Sequence, residues 1–172
     1  MARSVEIKAR IDDLELLRER LAKLATAGPA LISQDDTYFQ CDKGRLTLRQ
    51  FSDGNGELIF YQRNAKAGPD ESIFSKSPAP QPDSLRTLLS HAYGQIGRIK
   101  KMRTLFFIES TRVHVDWVQD LGNFIEIQTE IGNDEPSSNG EMITEMLMEK
   151  LGVSLDSLLH ESYLDLISQK SP

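Results

Sequence analysis

Charged side chains recur at every second position along several stretches of this chain. Glu6, Lys8 and Arg10 alternate with Val5, Ile7, Ala9 and Ile11. Arg45, Thr47 and Arg49 alternate with Leu46 and Leu48, and Lys101 and Arg103 flank Met102. Arg112, His114 and Asp116 interleave with Val113, Val115 and Trp117, as Glu126, Gln128 and Glu130 do with Ile125, Ile127 and Thr129. A period of two places such residues on one face of a β-strand. If those faces turn toward a shared space, Lys8, Arg10, Arg45, Arg49, Arg63, Lys101, Arg103 and Arg112 supply bases to it. The acids are Glu6, Asp116, Glu126 and Glu130. Clustered bases repel one another and suit a compact polyanion such as a triphosphate. Arginine grips phosphate oxygens with a two-pronged fork, and lysine acts as a point charge. Carboxylates among them make sense as ligands of a hard divalent cation, which joins one or two acids to substrate phosphates.

The elements that must position these residues follow from the same periodicity. The spacing predicts a first strand over 4–11. A helix follows, started by Asp12-Asp13, carrying Leu14, Leu17, Leu21 and Leu24, and ended by Gly28-Pro29. A short strand is expected over 34–42, a hairpin over 45–51 and 57–63 around Asp53-Gly54-Asn55-Gly56, a loop over 64–70 and a strand near 71–76. Pro78, Pro80 and Pro82 read as a stiff connector to a helix over 83–93. Strands are expected at 98–109, 111–117 and 123–131, then a loop over 132–140. A helix follows with Met142, Ile143, Met146, Leu147 and Leu151 as core, and a last short helix spans about 157–167. Trp117, on the apolar face of its strand, is expected in the core beneath a helix. His91 and His160 read as helix surface residues, and His114 as a hydrogen-bonded structural histidine. Strand meanders with helical insertions favour an α+β fold with an antiparallel barrel over a parallel sheet. The expectation is a closed eight-stranded antiparallel β-barrel with a charged interior, covered by amphipathic helices.

The 172 residues suit a single domain over 1–172, with 39% hydrophobic and 27% charged residues. A net charge of -6 argues against a nucleic-acid partner, because such proteins are usually basic. No long apolar run or leader-like N-terminus is present, so neither a membrane partner nor secretion is expected. The lone Cys41 fits a reducing, cytoplasmic setting and reads as a small packed or half-exposed side chain. Phosphate-loop, H-E-x-x-H and C-x-x-C motifs do not occur. By periodicity alone, an ordinary sheet with a solvated outer face fits as well, and that arrangement is the commoner one.

Longer stretches carry a resemblance. VEIKARI (5–11) is similar to the end of the E-x-E-x-K signature of CYTH proteins, the triphosphate tunnel metalloenzymes, which include class IV adenylate cyclases and thiamine triphosphatases. QDDTYF (34–39), GRLTLRQ (44–50), ELIFYQR (57–63), Lys101-x-Arg103, TRVHVDWV (111–118), LGNFIEIQ (121–128) and SYLDLI (162–167) continue it in order. The resemblance implies a metal-dependent phosphohydrolase or adenylate cyclase whose tunnel accepts ATP, thiamine triphosphate or inorganic tripolyphosphate, with Mg²⁺ or Mn²⁺ as cofactor. It assigns the metal to Glu6, Asp116, Glu126 and, through its amide oxygen, Gln128. It assigns the phosphates to Lys8, Arg49, Arg63, Lys101, Arg103 and Arg112, with Arg10 and Arg45 as additions. Glu6, Lys8 and Glu126 are then the catalytic residues. Members of the family often pair as homodimers. Three positions depart from the family pattern. Ser4 and Gln128 stand where acids are expected, and Thr47 stands where a base is. The alternative is therefore a triphosphate-binding module with weak or no catalysis.

Overall fold

The computed structural model describes residues 2–64 and 69–170. Part of the loop expected over 64–70, residues 65–68, lies outside the described residues. The elements run β1 (Ala2–Arg10), α1 (Leu14–Leu24), β2 (Ala27–Phe39), β3 (Arg45–Phe51), β4 (Gly56–Asn64), β5 (Asp70–Pro78) and α2 (Pro82–Tyr93). They continue with β6 (Gln95–Ile108), β7 (Thr111–Val118), β8 (Gly122–Ile131), α3 (Ser137–Leu151), a 3-10 turn (Leu155–Ser157) and α4 (Tyr163–Lys170). The eight strands close into a barrel in the order β1-β5-β4-β3-β2-β6-β7-β8, with β8 returning to β1. Every neighbouring pair is antiparallel. The fold is α+β and the barrel is the expected one.

Alternation decides which side of each strand is packed. Ile7 and Ala9 of β1, Val113 and Val115 of β7, and Ile125 and Ile127 of β8 point outward. They form a core with Leu17 and Leu21 of α1 and Leu147, Met148 and Leu151 of α3. A second core joins Phe39 of β2 and Leu48 of β3 to Leu89 of α2. The third lies across one end of the barrel, where Tyr38, Ile99, Val118 and Phe124 meet Tyr163, Leu164 and Leu166 of α4. Removing these apolar surfaces from water drives closure, and the interior is left to polar groups. Gly97 makes the α4 cap possible, because a Cβ there would run into Leu164.

Several expectations are revised. The first helix ends at Leu24, and Gly28-Pro29 lies within β2, at a register shift opposite Leu105 and Phe107. A bulge tolerates proline, which has no N–H to give to the ladder. Trp117 is 55% exposed and pairs with the exposed Met102 on the outer face of β6 and β7, away from the three packed cores. Met142, Ile143 and Met146 face outward from α3, which packs instead through Gly140, Thr144, Leu147, Met148 and Leu151. Its apolar residues surround the helix, so spacing alone did not select the buried side. The last helix begins only at Tyr163, and Leu158–Ser162 runs across the barrel end as a strap. His160 lies on that strap, and His91 is exposed on α2. Among the described residues no helix is long and apolar enough to cross a membrane.

Candidate active site

The inward residues enclose a cavity of about 340 Å³, within the size range of small-molecule sites. Eight basic side chains line it (Lys8, Arg45, Arg49, Arg63, Lys76, Lys101, Arg103 and Arg112) against four carboxylates (Glu6, Asp36, Glu57 and Glu126).

Cross-strand register builds the middle of the tunnel. Asp36 of β2 stands opposite Arg49 of β3. The guanidinium donates from Nε to Oδ1 at 2.8 Å and from Nη2 to Oδ2 at 2.9 Å, and Lys101 Nζ reaches Oδ2 at 3.1 Å. Burial alone would raise the Asp36 pKa, but the charges of Arg49 and Lys101 outweigh it and hold the carboxyl below the usual range. For Lys101 burial prevails over the attraction of Asp36 and lowers the pKa to about 8. The next pair repeats the geometry. Arg103 of β6 faces Asp116 of β7 and donates two bonds to it at 2.8 and 2.7 Å. Arg103 Nη2 also donates to Glu126 Oε2 at 3.1 Å, and the Tyr163 hydroxyl donates to Asp116 Oδ2 at 2.8 Å. Burial works against the Glu126 charge, yet Arg103 and Lys8 hold its pKa well below the ordinary value.

Nearer the α4 end, Lys8 Nζ lies 3.6 Å from Glu126 and donates to the Glu161 carbonyl at 3.3 Å. Burial lowers the Lys8 pKa. Arg63 Nη1 donates to the His160 carbonyl at 2.8 Å, and the Leu159 amide donates to the Lys8 carbonyl at 2.8 Å, which ties the strap to β1 and β4. Arg45 donates to Asp165 of α4 at 2.7 Å. Glu6 is surrounded by donors: the Tyr61 hydroxyl, Gln128 Nε2 at 2.9 Å and Ser4 Oγ at 3.3 Å. His114 is buried with its Nδ1 3.6 Å from Glu126 Oε2, too long for a hydrogen bond, and burial followed by the charge of Arg103 takes its pKa down to about 4.

Thus Glu6, Lys8, Arg45, Arg49, Arg63, Lys101, Arg103, Arg112, Glu126 and Gln128 converge on one space. Three expected residues do not line it: Arg10, Asp116 and Glu130, which is exposed. Arg10 lies exposed at the end of β1, where it donates to the Leu121 carbonyl and covers the Phe124 ring at 4.9 Å. Asp116 is fully buried behind Arg103, and its oxygens are occupied by that guanidinium and by Tyr163. Arg112, at the far end, pairs with Glu130. Sequence reasoning missed Asp36, Glu57, Lys76 and Tyr163. The alternation of Gln34, Asp36 and Tyr38 in QDDTYF was the signal for the first. Tyr163 arrives from a helix, where a period of two says nothing. The mutual repulsion expected of the bases is relieved in part by the tunnel's own acids, and an excess of positive charge remains for an anion.

The donor set bears on a divalent cation. Among the described residues no cluster of three or more His, Cys, Asp or Glu could hold an ion by itself. Glu6 and Glu126 both line the cavity on the adjoining strands β1 and β8, where Glu126 stands opposite Lys8 and Glu6, two residues before Lys8, stands opposite Gln128. Gln128 lines it as well, with its amide nitrogen given to Glu6, whereas Ser4 does not line it and shares its hydroxyl between Glu6 and Ser72 Oγ, the latter at 2.9 Å. Two carboxylates fit a cation whose remaining ligands are substrate phosphate oxygens and water.

Known proteins share this construction. A protein of Methanocaldococcus jannaschii named "Putative adenylate cyclase MJ0240" is 26% identical over 94% of this chain and 97% of its own length. The solved structure of PH1012 from Pyrococcus horikoshii superposes with a TM-score of 0.85 at 19% identity, covering 95% of this chain and 98% of the other. A Hippeastrum protein described as a "putative adenylyl cyclase" with a dominant triphosphatase activity gives a TM-score of 0.70 at 12% identity, with 98% and 96% covered. The sequence pattern of the CYTH domain matches residues 2–163. With that match over nearly its whole length, the chain belongs to the CYTH domain family.

Proposed function

We propose that this protein is an enzyme that draws a triphosphate-containing substrate into the tunnel and breaks a phosphoanhydride bond with a divalent cation, Mg²⁺ or Mn²⁺. Its type is phosphohydrolase or class IV adenylate cyclase. The observation that carries this reading is the convergence of eight basic side chains and four carboxylates in one cavity of about 340 Å³. Arg49, Lys101 and Arg103 are aimed by Asp36 and Asp116, so they meet phosphate oxygens with little loss of freedom. Their charge stabilises the leaving phosphates. Lys8, among other cations and beside Glu126, serves as a phosphate ligand. Glu6 and Glu126 are the residues to hold the cation, which neutralises phosphate charge and activates an oxygen nucleophile when bound. The cyclase name given to the archaeal relative and the triphosphatase activity given to the Hippeastrum protein both agree with this class.

A panel of tripolyphosphate, ATP and thiamine triphosphate with Mg²⁺ and Mn²⁺ tests the reading. Release of phosphate, or of pyrophosphate with a cyclic nucleotide, supports it; absence of product from every combination contradicts it. Tight binding without product would favour the second reading, a binding module. One contact speaks for that alternative: Gln128 gives Glu6 an amide donor where the family pattern has an acid.

A further inference from the structure

A second cavity, of about 490 Å³, lies at the α4 end of the tunnel. Arg45, Tyr61, Arg63 and Ser162 line both spaces, so the tunnel and this cavity meet across those four side chains. Beyond them the second cavity presents Lys43, His160, Asp165 and Cys41. The strap forms part of the partition, and its two halves are held in different ways. Leu158 and Leu159 pack against two of the cores, Leu158 bridges Ala9, and the Leu159 amide donates to the Lys8 carbonyl at 2.8 Å. His160, Glu161 and Ser162 belong to none of the three cores. Two of their carbonyls are held by cations of the tunnel: Arg63 Nη1 donates to that of His160 at 2.8 Å, and Lys8 Nζ to that of Glu161 at 3.3 Å. Side chains add two more ties, His160 Nδ1 at 3.1 Å from Asp70 Oδ2 and the Ser162 amide donating to Asp165 Oδ2 at 3.1 Å. The cations that close this segment are therefore two of those assigned to a triphosphate. A phosphate oxygen is a charged acceptor, and its hydrogen bonds are roughly twice as strong as those to a neutral carbonyl. The Lys8 bond to the strap, at 3.3 Å, already lies at the long end of the range.

We propose that His160–Ser162 is a gate worked by the triphosphate itself, and that a small inorganic phosphate anion leaves the tunnel through the second cavity when it opens. The gate rests on the triphosphate reading above and adds a way out at the α4 end. A bound chain takes Lys8 and Arg63 from the strap carbonyls, and the three residues swing between fixed ends. Those ends are Leu159, pinned to β1, and Tyr163, buried in the core at the start of α4. Arg45 and Lys43 stand along the route, and Asp42 and Asp165 moderate their charge, so the anion is passed on and not trapped.

Amide hydrogen exchange, read residue by residue with and without the hydrolysis-resistant diimido analogue of tripolyphosphate, tests the gate. Calorimetry first establishes that the analogue is bound. A ligand ordinarily slows exchange around it; here exchange at 160–162 should quicken about tenfold while the amides of β1 and β4 exchange no faster. Arg63→Gln without ligand should reach about the rate of the liganded parent, and Arg98→Gln on the outer face should keep the parent's. Melting curves establish that each variant is folded. The route is read at Cys41. With the analogue in the tunnel, inorganic phosphate should slow iodoacetamide alkylation of Cys41 about twofold at half-saturation, and Lys43→Gln should lose that protection. Unchanged or slower exchange at 160–162 with the analogue bound, or exchange in Arg63→Gln equal to the free parent's, overturns the gate and leaves the tunnel reading standing. Absence of protection at Cys41, or equal protection in Lys43→Gln, overturns the route. Failure of both tripolyphosphate and its analogue to bind overturns the tunnel reading and the gate with it.

Discussion

Lys8 Nζ lies 4.1 Å from the centre of the Tyr163 ring, so a helix outside the barrel holds a cation inside it. Lys101 Nζ lies 5.1 Å from the same ring. Both ammonium groups face the ring's negative face, a contact worth about 0.5 to 2 kcal/mol. Tyr163→Phe keeps the ring and loses only the hydroxyl bond to Asp116. It should lower stability by about 1–2 kcal/mol and leave triphosphate affinity within about threefold. Tyr163→Leu removes the ring and should weaken triphosphate binding by about tenfold. Equal affinity in the two variants would show that the ring does not position the lysines.

On the triphosphate reading, the Asp36 carboxylate holds Arg49 and Lys101 as a phosphate would. Asp36→Asn leaves Arg49 and Lys101 facing each other without a carboxylate, and should destabilise the free protein by about 3–5 kcal/mol. A bound triphosphate replaces the lost charge. Tripolyphosphate should therefore raise the melting temperature of the variant more than that of the parent. A smaller rise in the variant contradicts this role.

The pH dependence follows from Lys101. Burial brings its pKa to about 8 from the ordinary lysine value of 10.5. As pH rises through about 8 the free protein loses this ammonium, and kcat/KM, which reports the free enzyme, should fall. The effect on folding has the opposite sign. Between about 8 and 10.5 the unfolded chain binds the proton and the folded one does not, so this group's contribution to stability rises with pH. Lys101→Arg should move the basic limb of kcat/KM upward. A limb that stays in place assigns it elsewhere, with Lys8, also lowered by burial, as the next group to exchange for arginine.

Much of this was legible in period-two alternation. Glu6 and Lys8, Arg45 and Arg49, and Glu126 and Gln128 all lie on the face that alternation gave them. What alternation could not supply was register. Asp116 sits on an inward position, but its cross-strand neighbour is Arg103, and that pairing removes it from the cavity. Arg10 has the right parity and lies one step too far along β1. Trp117 shows the complementary failure. An apolar outward face signals a core only where a helix arrives to cover it, and the Trp117–Met102 pair remains exposed.

Gln128→Glu places a carboxylate beside Glu6, where the amide now donates at 2.9 Å. Without a cation the two acids repel, so the variant should melt lower in chelator. With Mg²⁺ it should regain that loss and reach half-maximal activity at about tenfold less metal. If Mg²⁺ restores neither stability nor activity, Glu6 and residue 128 do not share a cation.

The convergence of bases on a polyanion is tested most directly by calorimetric titration of tripolyphosphate into the parent protein and into Arg49→Ala and Arg103→Ala. The account predicts one site per chain of about micromolar affinity or better, weakened by roughly 2–5 kcal/mol in each variant. Absence of binding heat and of any melting shift in the parent, or equal affinity in all three proteins, would contradict it.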